Sequence, residues 1–134
     1  MAPLTTILIV EDDLGVQAAL AEALSLEDHP LMLVATAWEA EDAVQRVGSA
    51  RIGLVIADIH LTVRLQGYEG YELYERWRSR YPQLPFLLIS GSPISRDLPA
   101  VQMGEVRFLP KPFAFGDLLQ AVREETHGTG FYER

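Results

Sequence analysis

The stretch that most constrains this chain is Gly53 to Leu61, GLVIADIHL. Leu54, Val55, Ile56 and Ala57 run without a polar interruption into Asp58. An unbroken apolar run of this length suits a strand covered on both faces, as in a parallel sheet lying under helices. In such sheets the ligand crevice lies beyond the carboxyl ends of the strands. Asp58 is thereby expected at the rim where chemistry is done. A lone aspartate that merely ends a strand is ordinary; the weight here comes from matching residues at three other strand ends.

In chain order, Thr5 to Val10, TTILIV, is a second β-branched apolar run, followed by Glu11, Asp12 and Asp13. Leu14 to Leu26 has helical spacing, with Leu14, Ala18, Leu20 or Ala21, and Leu24 near one face, and Asp12 or Asp13 as its cap. After His29-Pro30 a strand is predicted over Leu31 to Ala35. A helix then runs from a Thr36 cap to about Val47, with Trp38, Ala40, Ala43, Val44 and Val47 as its apolar surface and Gly48 as its stop. Beyond Asp58 come a loop from Ile59 to about Gly70, a helix over Tyr71 to Arg80 with Leu73, Tyr74 and Trp77 at core spacing, and a fourth strand, Phe86 to Ile89. Pro93 and Pro99 break Ser92 to Gly104, leaving room for a short helix from about Leu98 to Met103 capped by Asp97. Val106 to Leu109 is a fifth strand, closed by Pro110-Lys111-Pro112, whose prolines fix the backbone and allow a cis bond at Lys111-Pro112. Phe115 to about Glu125 is the last helix, with Leu118, Leu119 and Val122 inward, and His127 to Arg134 reads as a frayed tail. Five strands alternating with helices imply an α/β fold: a parallel sheet with right-handed crossovers and helices on both faces.

The 134 residues, 49% of them hydrophobic, are enough for one domain with a proper core. No apolar run is long enough to span a bilayer, and Met1 to Val10 lacks the pattern of a secretory signal. Without cysteine there are neither disulfides nor thiolate metal sites, which is compatible with a cytoplasmic location. A net charge of −8 argues against direct nucleic-acid binding. It permits a cation site and a basic protein partner.

Glu11 and Asp12 follow the first strand and Asp58 ends the third. If those strands are neighbours, three carboxylates converge and repel, and at least one is driven to hold its proton. A divalent cation resolves the conflict, and Mg²⁺, which takes oxygen ligands and keeps several waters, fits. The same acids also suit a helix start, a role open to Asp13. Ser90 ends the fourth strand, where a hydroxyl can bond a phosphoryl oxygen or simply serve a turn. Lys111 ends the fifth, where an ammonium can pair with a carboxylate or phosphate. A carboxylate nucleophile, a metal, a hydroxyl and an ammonium are together the parts of phosphoryl transfer to aspartate.

ILIVEDD, LVIADIHL, LLISGS and FLPKPF, in this order over about Thr6 to Glu125, resemble the receiver domains of two-component response regulators. The resemblance implies a flavodoxin-like, doubly wound five-stranded sheet of order 2-1-3-4-5, filling residues 1–134 as a single receiver domain with its core over about 6–125. It implies that Asp58 accepts a phosphoryl group from a histidine kinase or a histidine phosphotransfer protein, with Ser90 and Lys111 holding that group. Asp12 and Asp58 would ligate Mg²⁺ directly, the backbone carbonyl of His60 would supply a third ligand, and Glu11 would act through water. The His60 ring would border the site and influence water access. Phe108 occupies the aromatic switch position coupled to Ser90. The output partner is not identified by the sequence, and a homodimer on phosphorylation is compatible with the resemblance. The chain would be a switch rather than an enzyme, and either a single-domain regulator or a receiver cut from something longer. Two departures stand out: a long loop after Asp58 with Thr62 where the family places a proline, and the proline-broken fourth helix. Two rivals remain at this point. One is a degenerate receiver acting as an unphosphorylated interaction module. The other is a haloacid-dehalogenase-type phosphohydrolase, which wants an aspartate where His60 stands.

Overall fold

The protein is described by a computed structural model that covers residues 5–61 and 67–127. Five parallel strands, β1 (Thr6–Val10), β2 (Leu31–Val34), β3 (Ile52–Asp58), β4 (Phe86–Ser90) and β5 (Arg107–Pro110), form one sheet in the order β2-β1-β3-β4-β5. Helices α1 (Leu14–Leu24), α2 (Ala37–Val47), α3 (Glu69–Arg80) and α4 (Pro99–Gln102) lie in the crossovers, and α5 (Phe115–His127) follows β5. This is the flavodoxin-like architecture expected from the sequence.

Side chains on a strand alternate between the two faces of the sheet. The central run therefore splits: Val55 and Ala57 join Leu8, Val10, Phe86 and Leu88 under α2, α3 and α4, while Leu54 and Ile56 join Ile7, Ile9, Leu87 and Ile89 under α1 and α5. Both faces are covered, which is why no polar residue interrupts β3. The register then fixes the rim. Val10 lies beside Ala57, Asp58 beside Ile89, and Ser90 beside Pro110. Glu11, Asp58, Ser90 and Lys111 consequently stand at one edge of the sheet.

Local chemistry explains the helix ends. The Asp13 carboxylate caps α1 by accepting from the Gly15 and Val16 amides, and the Thr36 hydroxyl caps α2 through Glu39. Gly48 stops α2 with φ at +89°, a conformation that favours glycine. Gly70, in the first turn of α3, lies so close to β3 that a Cβ there would fall 1.8 Å from the Asp58 carbonyl oxygen. α3 can start against the end of β3 only because this residue is glycine.

Several expectations need correction. Leu14 and Ala18 do not face the core; α1 is buried instead through Leu20, Ala23 and Leu24, with Leu14 74% exposed. Trp38 adds nothing to the apolar face of α2 and is also 74% exposed. α3 begins at Glu69, two residues early. Asp97 does not cap α4. It ends a 3₁₀ turn (Pro93–Asp97), and Leu98, without a side-chain hydrogen bond, precedes the single-turn helix. The Lys111-Pro112 bond, by contrast, is cis as the sequence allowed. The loop position Thr62 and the tail residues 128–134 lie outside the described residues.

Candidate functional site

Two side-chain groups meet at the carboxyl edge. The first is ionic. Glu11 is fully buried and Asp58 only 6% exposed. The Lys111 ammonium reaches over from the end of β5 and donates to Asp58 Oδ2 at 2.7 Å and to Glu11 Oε1 at 3.1 Å. Glu11 Oε2 accepts from the Asp13 amide at 3.1 Å, and Asp58 Oδ1 from the His60 amide at 3.0 Å. Asp12 is exposed beside them.

The electrostatics follow from burial. Loss of solvent, and then the charge of Asp58, push the Glu11 carboxyl up to about 7, against the opposing pull of the Asp13 amide and of Lys111. Burial pulls the Lys111 ammonium down, but the hydrogen bond and charge of Asp58, followed by those of Glu11, outweigh it and leave Lys111 above its ordinary value. One ammonium therefore serves two buried carboxylates and does not fully compensate them. Glu11, Asp12 and Asp58 each offer a carboxylate oxygen, all within 4.8 Å of one another. An all-oxygen donor set carrying this unrelieved negative charge fits a hard divalent cation such as Mg²⁺.

The second group is built on hydroxyls. Ser90 is 1% exposed, and its hydroxyl lies 2.7 Å from that of Ser95, itself fully buried in the 3₁₀ turn. Ser90 Oγ also accepts from the Ser92 amide at 3.0 Å. The His60 ring spans from the Gly67 carbonyl, 2.7 Å from Nδ1, to Ser95 Oγ, 3.3 Å from Nε2, and lies against the Tyr68 ring with centroids 5.0 Å apart. The Arg96 guanidinium sits 5.8 Å from the centre of the Phe108 ring. Thus Glu11, Asp58, Ser90 and Lys111 come to one edge, with His60 next to Asp58 and its ring turned toward the hydroxyls. Sequence reasoning did not find Ser95. It lies in SPIS, inside a proline-broken segment with no periodicity, and only the fold brings it to Ser90.

Fold and rim together define a doubly wound α/β domain with a carboxylate–ammonium pocket over its carboxyl edge. The family with this description is the response regulator receiver domain, which matches residues 7–123, and the chain belongs to it. Among curated relatives, the response regulator protein FleR of Pseudomonas aeruginosa is 32% identical over 123 residues, covering 91% of this chain and 24% of FleR. The transcriptional regulatory protein PmrA of Pectobacterium parmentieri is 36% identical over 118 residues, covering 87% of this chain and 50% of PmrA. The chain thus spans between a quarter and half of these relatives' lengths. Among solved structures, the signal receiver domain of an HD domain-containing protein from Pseudomonas fluorescens superposes with a TM-score of 0.83 at 25% identity, covering 99% of this chain and 94% of that one. A CheY-like receiver domain from Methanospirillum hungatei gives 0.80 at 24% identity over 96% and 98% of the two chains and shares the fold. No helix of the described residues is long and apolar enough to cross a membrane.

Proposed function

We propose that this receiver domain is a phosphorylation switch in which Asp58 accepts a phosphoryl group from a phosphohistidine. The observation that carries the reading is the grip of Lys111 on Asp58 at 2.7 Å beside the buried Glu11. A cation held against the accepting carboxylate keeps it ionised and oriented, and can follow the charge as it moves onto the phosphoryl oxygens. A carboxylate oxygen of Asp58 attacks phosphorus, the P–N bond to the donor imidazole breaks, and an aspartyl phosphate results. Mg²⁺, held by Asp58 and Asp12 with Glu11 behind them and the His60 carbonyl as a further ligand, would supply neutralisation of the phosphoryl charge. Ser90 and Lys111 would hold the transferred group.

The donor is a histidine kinase or a histidine phosphotransfer protein, met in the cytoplasm. An apolar groove lined by Val16, Leu20, Pro112, Phe113 and Phe115 adjoins Lys111 and suits such a partner's helix. The output surface is assigned to the fourth crossover, β5 and α5, where Ile94 and Met103 are exposed. Switching means that phosphorylation favours one of two arrangements of that surface. The test is incubation with a small acyl phosphate and Mg²⁺ followed by mass measurement. One phosphoryl group is expected on the wild type and none on Asp58→Asn. An unmodified wild type, or modification that survives the substitution, rejects the reading.

A further inference from the structure

The buried contact between Ser90 and Ser95 has no part in the transfer chemistry just described. Its polarity can be worked out from its far end. The Gly67 carbonyl can only accept, so His60 Nδ1 carries the hydrogen of that 2.7 Å bond. With the ring uncharged, this bond selects the Nδ1–H tautomer, Nε2 is an acceptor, and Ser95 Oγ, 3.3 Å away, is placed to donate to it. Ser95 Oγ–H being directed to His60, the 2.7 Å contact with Ser90 is made by the Ser90 hydrogen. The chain therefore runs Ser90 to Ser95 to His60 to the Gly67 carbonyl. One lone pair of Ser90 is engaged as well, since its Oγ accepts from the Ser92 amide.

A hydroxyl that is to hold a phosphoryl oxygen must give that oxygen its hydrogen, and here the hydrogen is already directed to Ser95. We infer that Ser95 is a positioning residue that pins Ser90 in the unphosphorylated arrangement, so that the phosphoryl group must compete with Ser95 for the Ser90 hydroxyl. This rests on the phosphoryl-accepting role of Asp58. The setting suits a pin. Ser95 is fully buried, so water does not replace it. It sits in a five-residue 3₁₀ turn, Pro93–Asp97, that lies outside the sheet. The next residue, Arg96, lies over the ring of Phe108, so one turn touches both Ser90 and the aromatic side chain of β5 on the same face.

Because the Ser90–Ser95 bond exists only in the unmodified state, deleting it destabilises that state alone and shifts the balance toward the phosphorylated one. The unsatisfied His60 Nε2 that remains is common to both states and cancels. The probe is beryllium trifluoride with Mg²⁺, a tetrahedral mimic of the phosphoryl group, its binding to the full chain followed by fluorine NMR. Ser95→Ala should raise the apparent affinity roughly three- to tenfold, the scale of one net hydrogen bond. Ser95→Cys, which fills the same space with a poor hydrogen-bonding group, should move it the same way. In a Ser90→Ala background Ser95→Ala should have no effect, because Ser95 acts through Ser90. A purely structural role for Ser95 would change affinity equally in both backgrounds. Unchanged affinity in Ser95→Ala and Ser95→Cys, or an equal gain without Ser90, overturns the pin while leaving acceptance on Asp58 intact. That acceptance is read separately, from wild type against Asp58→Asn with an acyl phosphate, and a wild type that takes no phosphoryl group removes both.

Discussion

The two groups at the rim lie only a strand apart, yet they are built on opposite principles. By the alternation of the pleat, Glu11, Asp58 and Lys111 continue the side of the sheet that α1 and α5 cover. Ser90 and Phe108 continue the side covered by α2, α3 and α4. The first group is charged and incompletely compensated, with Glu11 pushed up to about 7. The second is built on hydroxyls, each engaged by a neighbour. The comparison teaches a division of labour. In the proposed switch, the α1–α5 side holds the electrostatic tension that a cation and a phosphoryl group would relieve, and the α4 side holds the hydroxyl that would respond. It predicts that the α1–α5 group is sensitive to pH and salt and that the hydroxyl contact answers chiefly to packing and hydrogen-bond geometry.

The largest effect should come from removing the shared cation. Lys111→Ala leaves two buried carboxylates facing each other, and metal-free protein at about pH 8 should lose roughly 2–4 kcal/mol in denaturant unfolding. At about pH 5 the loss should shrink, since Glu11 can then take a proton. A loss that is the same at both pH values would break the comparison on its charged side.

Next comes the pH dependence of the wild type. The pKa of Glu11 is raised from 4.5 to about 7, so between those values the folded state holds a proton that the unfolded chain has released. Stability is therefore highest below that window and falls as pH rises through it, by about 1–3 kcal/mol, the decline being complete above about pH 7. Lys111, raised from an ordinary value of 10.5, contributes evenly across this range. Glu11→Gln should flatten most of the slope, and Mg²⁺ added at about pH 8 should recover stability in the wild type. A Glu11→Gln variant with the wild-type slope would show that the tension resides elsewhere.

On the hydroxyl side, Ser90→Ala should lower stability by about 1 kcal/mol, the scale of a net hydrogen bond, and equally at low and high salt. A salt-dependent loss would merge the two groups into one. The smallest effect belongs to Arg96→Ala, about 0.5 kcal/mol from its contact with the exposed side of the Phe108 ring, read as a lower denaturant midpoint at unchanged slope.

Much of this was legible beforehand because strands and their ends carry strong local signals. The apolar runs of β1, β3 and β4 named the sheet, and Glu11, Asp58 and Ser90 were each the first polar residue after such a run, while Lys111 stood out between the two prolines that close β5. What was missed depended on tertiary contact. Leu14 and Ala18 have a helical spacing as plausible as that of Leu20 and Leu24. Only docking against β1 and α5 decides which face is buried. Trp38 is large and apolar, yet it lies off the face of α2 that Ala40, Ala43 and Val44 bury. Ser95 had no signal at all, because nothing local distinguishes a serine that caps a turn from one that meets a strand end.

The fourth crossover has one last consequence. Where α1 and α2 each run for 11 residues, α4 has 4, preceded by a 5-residue 3₁₀ turn. So brief a coil surrenders few amide–carbonyl links when it unwinds, and local opening is easiest where such links are few. In the proposed switch, this flank, where Ile94 and Met103 already stand exposed, is where the outline would change at the least cost to the backbone.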